Sequence, residues 1–153
     1  MRTYYTLMQH LKTVFEDDDT VNTISTGEPR ELDNYKKNIY PLVHLYVLDS
    51  PYNENTSITR YRVQVTAVDV RDINKEDVKD KFWFNDNRHD NWNAMRSVLK
   101  HAQIKLSKES LGEDIRLVTA TDAEPLIFAS TNALDGWQQT FTLDIPDDYT
   151  TSC

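Results

Sequence analysis

The stretch Tyr61–Val70 (YRVQVTAVDV) constrains this chain more than any other. Tyr61, Val63, Val65 and Ala67 fall on one face of a strand, and Arg62, Gln64 and Thr66 on the other. At Val68 and Val70 the second face also turns apolar. A strand with one dry face and one partly wet face belongs in the middle of a sheet. Tyr40–Leu48 (YPLVHLYVL) and Trp137–Ile145 (WQQTFTLDI) are the runs that fit as its two neighbours. Pro41 has no N–H to give a ladder, so it is expected among the first residues of its strand. His44, inside that strand, reads as a core or interface histidine with one hydrogen bond.

Two helical stripes accompany the strands. Tyr4, Leu7, Met8, Leu11, Val14 and Phe15 recur at three- and four-residue spacing, with Thr3 as the cap. Trp92, Met95, Val98, Leu99, Ala102 and Leu106 do the same, with Asp90 or Asn91 as the cap and Ile104 off the stripe. Glu16–Asp19 ends the first helix, because anions oppose the dipole at a helix C-terminus. These carboxylates lack the alternate spacing and glycine of a calcium loop and read as a solvated turn. Val21–Thr26 is a short β-prone run stopped by Gly27. Asp49–Ser57 is dense in turn formers and reads as a hairpin connection. Ile115–Ala120 and Pro125–Ala129 bracket a turn-like spacer and suggest a hairpin, and Asn132–Gly136 reads as a further turn.

The order predicts an α+β fold: a mostly antiparallel sheet of five or six strands with two helices packed on one face. Residues 1–153 are expected to form one domain, with a long loop at 27–39 and a loose tail at 146–153. Its 8 Tyr, 5 Phe and 3 Trp are too many for a wholly disordered chain.

Chemistry is harder to find. The 3 isolated glycines cannot build a phosphate-cradling or dinucleotide loop, and there is no G-x-S-x-G. One cysteine, Cys153, excludes both a cysteine zinc site and an intrachain disulfide. The nearest thing to a reactive cluster is Asp86, Arg88, His89 and Asp90, which helix capping explains more cheaply. No catalytic residue, metal or cofactor is therefore expected. With 17 Lys+Arg against 25 Asp+Glu the net charge is −8, which opposes binding to a phosphate backbone while allowing DNA to slide past. The N-terminus lacks the apolar core of a signal peptide, and no run approaches the ~18–20 apolar residues of a membrane span. A soluble protein made in a cytoplasm is the expectation.

Phe82-Trp83-Phe84 is the most conspicuous local feature, since three adjacent large aromatics cannot all face one core. At least one belongs at the surface, where exposed aromatics often anchor a partner, or under a loop; the alternative is a strand end with Phe82 and Phe84 inside and Trp83 half covered.

An N-terminal amphipathic helix is followed by a wandering loop, NIYPLVHLYV, RYRVQVTAVDV, a helix containing NWNAMRSVLKHA, and GWQQTFTLDIP. In that succession the chain resembles the tail-terminator and tail-completion proteins of tailed bacteriophages, small α+β subunits that form rings at the head–tail junction. The resemblance is a pattern of elements over nearly the whole chain and not a signature motif. The chain departs in its generous loops at Gly27–Ile39 and Arg71–Asn91, which also suit a related neck or tail ring subunit. The resemblance implies a homo-oligomeric ring, hexamer or dodecamer, in the virion. The ring would meet tail-tube, portal or neck proteins and let DNA through its bore without specific binding. Glu28, Arg30 and Tyr35 in the long loop, with Trp83 and Phe84, are the expected contact residues. The competing class is a small, acidic, monomeric accessory or ligand-binding domain.

Overall fold

The computed structural model describes residues 3–28, 39–72, 76–107, 115–129 and 133–147. The elements run α1 (Thr3–Glu16), β1 (Thr23–Thr26), β2 (Leu42–Asp49), β3 (Ile58–Val70), α2 (Arg88–Ser107), β4 (Arg116–Ala120), β5 (Glu124–Ala129) and β6 (Ala133–Pro146). The strands form one six-stranded sheet in the order β1-β2-β3-β6-β4, with β5 also on β6. Only β1, beside β2, is parallel to its neighbour. This is an α+β fold with a mostly antiparallel sheet, and β3 sits at its centre between β2 and β6 as its two-faced apolar pattern requires.

Register puts Val43, Leu45 and Val47 opposite Ala67, Val65 and Val63, and Val63 opposite Phe141. These side chains share one face, and the stripes of both helices close over it. Leu7, Leu11, Val14 and Phe15 of α1 and Met95, Val98, Leu99 and Ala102 of α2 lie in the same buried cluster. On the other face Tyr40, Leu42, Val68 and Leu134 form a smaller cluster. His44 is buried there beside Thr66. Its Nε2–H donates to the Gly27 carbonyl at 2.8 Å, and Ser25 Oγ lies 2.7 Å from Nδ1. The imidazole thus clasps β1 to β2 with two hydrogen bonds where the sequence suggested one.

The hairpin of β2 and β3 turns on asparagines, as its composition predicts. Asn53 and Asn55 side-chain oxygens accept the Asn55 and Ser57 amides at 3.0 and 3.1 Å. Pro41 lies just ahead of β2, after a cis peptide bond, and its carbonyl accepts the Asn22 and Thr23 amides at 2.9 and 3.2 Å.

Three local expectations are overturned. β4 and β5 do not form a hairpin with each other. Both run antiparallel along the same edge of β6, β4 on its second half and β5 on its first. The Thr121–Ala123 spacer is a jog in that edge: the Thr121 amide donates to the Thr140 carbonyl at 2.9 Å, and Thr121 Oγ1 accepts the Thr140 amide at 3.0 Å. Ala133–Gly136 is strand, not turn, because Asp135 and Gly136 pair with Asp69 and Val68. And α2 begins at Arg88, ahead of the expected caps, because the Asp86 carboxylate accepts the Arg88 amide at 3.0 Å. Asn91 is buried inside the helix and serves the sheet instead.

Candidate functional site

Where the start of α2 meets the ends of β3 and β6, the sheet carries an unusual pair: Asp69 and Asp135 face each other across adjacent strands. Like charges in that position repel. Arg71 resolves half of the problem. Its guanidinium grips Asp135 through both nitrogens, Nε at 3.0 Å from Oδ2, and Asn91 Nδ2 lies 3.5 Å from the same oxygen. Those bonds to Asp135 push the Arg71 pKa up. The Asn87 and Asn91 side chains both donate to the Val70 carbonyl, at 3.2 and 3.1 Å, and Asn87 Oδ1 accepts the Asp72 amide at 2.7 Å. The network ties the first turn of α2 to the end of the central strand.

Among the described residues no cation pairs with Asp69 in this way. Burial raises its pKa above the usual 3.8; the Val70 amide, which donates to Oδ1 at 2.8 Å, partly offsets this, and Asp72 and Asp135 add to it. Between 3.8 and the raised value the folded chain keeps a proton that the unfolded chain has lost. Stability therefore falls as pH rises through that window, and the deficit is complete above it. Asp69→Asn keeps an oxygen for the Val70 amide and removes the charge. It should melt above the parent protein at neutral pH, with the difference closing below pH 3.8, in thermal unfolding followed at both pH values.

The network also sets the position of an aromatic knuckle. Phe82 is 68% exposed and Trp83 61%, while Phe84 is half-buried with a left-handed backbone, φ 62°. His89, one residue into α2, organises all three. Its Nε2–H donates to the Phe82 carbonyl at 2.8 Å. Its ring lies nearly parallel to Phe82 and Phe84, at 6.4 and 5.8 Å between centroids, and edge-on to Trp83 and Trp92 at 5.3 and 5.8 Å. Arg88 covers the other ring, its Cζ 4.3 Å from the Phe84 centroid. At the base, Asp80 Oδ1 accepts the Phe82 and Trp83 amides at 2.9 and 3.3 Å. Trp92 reaches on to the Leu126 carbonyl of β5 at 3.4 Å, so the knuckle stands at the β5 edge of the sheet. Two exposed aromatics are thus held in a fixed arrangement before any partner arrives, which lowers the ordering cost of a contact.

Of the residues singled out in the sequence, Trp83 and Phe84 come together here, Trp83 exposed and Phe84 half-buried, each ring against His89. Phe82, which exposes more than either, was named only as part of the triplet. Glu28 is exposed just beyond β1, far along the sheet from the knuckle. Arg30 and Tyr35 lie outside the described residues. Three of the four residues of the Asp86, Arg88, His89 and Asp90 cluster have structural partners: Asp86 caps α2, Arg88 covers Phe84 and His89 holds the Phe82 carbonyl, while Asp90 is exposed in the first turn of α2. The acidic run ending α1 faces α2, with Asp17 and Asp18 each 3.8 Å from Lys105 and His101. Among the described residues no three His, Cys, Asp or Glu side chains are grouped to hold a metal ion. None of the described helices is long and apolar enough to cross a membrane.

At the opposite edge of the sheet, α1 and β1 border a groove of about 450 Å³. Tyr5, Met8 and Lys12 form one wall and Ile24, Thr26 and Leu45 the other. The outer face of α2 has two smaller hollows, about 320 and 240 Å³, around Arg96, Lys100 and Ile104. Compared with protein-family models and with curated proteins, the chain finds no match.

Proposed function

We propose that this chain is a structural subunit that assembles with copies of itself into a ring at the head–tail junction or tail end of a tailed bacteriophage. The observation that carries the reading is the knuckle: Phe82 and Trp83 are exposed, adjacent and held rigid by His89 and Asp80. Buried aromatics anchor protein–protein contacts, and an isolated subunit pays for leaving two of them in water unless a partner covers them. The phage setting comes from the resemblance in element order, and the α+β sheet with its helices on one face agrees with it.

In this role the chain catalyses nothing and works by shape and charge. Identical subunits that associate head to tail close into a ring when the rotation between neighbours divides a full turn. A net charge of −8 per copy keeps a passing DNA duplex from adhering, because phosphates gain no counterion release from an acidic wall. Surfaces on the two ring faces then meet tail-tube, portal or neck proteins and stop tube growth or join it to the head.

Native mass spectrometry and electron microscopy of the purified chain, alone and with tail tubes, test the reading. Closed rings with an axial hole are the expected product. A chain that stays single at every concentration, with and without tubes, would sink it. A second expectation isolates the knuckle. Phe82→Ser combined with Trp83→Ser removes mostly exposed surface together with the ring contacts to His89, so unfolding free energy should fall by no more than about 2 kcal/mol. Assembly in the same variant should be lost.

A further inference from the structure

A head-to-tail ring needs two different surfaces that fit one another, placed on opposite sides of the subunit. The fold supplies such a pair. The knuckle stands at the β5 edge, through Trp92 and Leu126, and the α1/β1 groove opens at the β1 edge, the far end of the strand order. We propose that the Phe82–Trp83 knuckle of one copy seats in the α1/β1 groove of the next. The proposal rests on the reading that this chain meets its own copies, and it names the surfaces by which they meet.

Chemistry favours this occupant. The groove is walled mostly by Tyr5, Met8 and Ile24, apolar groups that stay partly wet in a single copy, over a floor at buried Leu45; Tyr5 is 72% exposed. Its volume of about 450 Å³ is roomy enough for two aromatic side chains. Lys12 is the one charged side chain among its lining residues, and its loose partner Glu16, at 3.5 Å, is as open to water as Lys12 itself. The knuckle carries the matching charge at its base. Asp80 lies directly under Phe82 and Trp83, and Asp77 is exposed close by; three carboxylates against two lysines make Glu76–Lys81 acidic. Seating the rings between Tyr5 and Ile24 brings Asp80 toward Lys12.

Size then predicts how assembly proceeds. Each aromatic covers about 150–250 Å² when buried. Two of them, with Tyr5 and the flanking chain, fall short of the ~1,200 Å² of a stable pair. One contact alone should be weak, whereas a closed ring gives every subunit two. The chain should therefore pass from monomer to ring with little dimer between.

Disulfide trapping decides it. In a Cys153→Ser background, Gln9→Cys, on the α1 wall between Met8 and Lys12, places a thiol at the groove and Lys81→Cys one beside the knuckle, leaving Phe82, Trp83 and the apolar walls intact. Mild oxidation of the double variant at high protein concentration should give a ladder of cross-linked species ending at the full ring. Neither single variant should cross-link, and adding Phe82→Ser and Trp83→Ser should abolish the ladder. A ladder that survives loss of the two rings, or Lys81→Cys dimers without a ladder, overturns the contact. Sedimentation of the Cys153→Ser parent under the same conditions separates the two levels. Rings without a ladder reject this contact and leave the ring reading standing, while a monomer throughout, with tail tubes present as well as without, rejects both.

Discussion

Replacing Gly136 by alanine should destabilise the protein by about 3 kcal/mol or more, the upper end of overpacking costs, although only one methyl is added. Gly136 lies within β6, opposite Val68 of β3 and Leu126 of β5. A Cβ there would sit 1.9 Å from the Ala67 carbonyl oxygen and 2.8 Å from its carbon. Val68 Cγ1, also at 2.8 Å, could turn aside, but these two atoms are backbone of the central strand and no rotamer change can clear them. The strands would have to part where β3 holds the longest pairing in the sheet, and the ladder bonds beside Val68 would lengthen with them. At this chain length the loss corresponds to a fall in melting temperature of roughly 6–12 °C, readable by circular dichroism. An unchanged midpoint would mean that β3 and β6 do not approach as closely as described.

The same glycine shows where sequence reasoning stops. Alternation made β2, β3 and most of β6 legible, and three-four spacing did so for both helices, because each element's pattern records its own buried face. Asn-Ala-Leu-Asp-Gly carries turn composition, yet Asp135 and Gly136 are strand. Their reasons lie on other elements: a cation at Arg71 and a backbone approach at Ala67. Thr121–Ala123 also has turn composition, and only its bonds to Thr140 keep the chain on one edge. At the knuckle, sterics alone said that Phe82, Trp83 and Phe84 could not all be buried. Which rings face out is decided by His89 and Arg88, which join no motif with them in sequence. The groove was invisible for a similar reason, since α1 and β1 each show their inward stripe and nothing of the gap between them.

Asp135→Ala should be the more damaging half of a pair of changes whose other half restores much of the loss. Asp135 is fully buried and Arg71 only 15% exposed, unlike the Arg62–Asp49 pair, which lies open to water and contributes little. Removing the carboxylate takes the two-pronged partner from a mostly buried guanidinium and leaves Asn91 Nδ2 with only the Val70 carbonyl. Breaking a buried pair in this way costs about 3–5 kcal/mol. Losing both charges is a different matter. Arg71→Met with Asp135→Leu removes the desolvation cost of each ion, and such replacements are often neutral or stabilising by about 1–4 kcal/mol. It also ends the repulsion across the strands at Asp69, whose pKa should move back toward 3.8. A double-mutant cycle of Arg71→Met and Asp135→Leu, each also made alone, measures the coupling on urea midpoints, and the double variant is expected to recover most of the single-site loss. If the two losses simply add, the pair is not the unit that holds the start of α2 to the sheet. The knuckle's placement would then depend on the Asn87 and Asn91 bonds to Val70 alone, and Asn91→Ala would become the change that loosens Phe82 and Trp83.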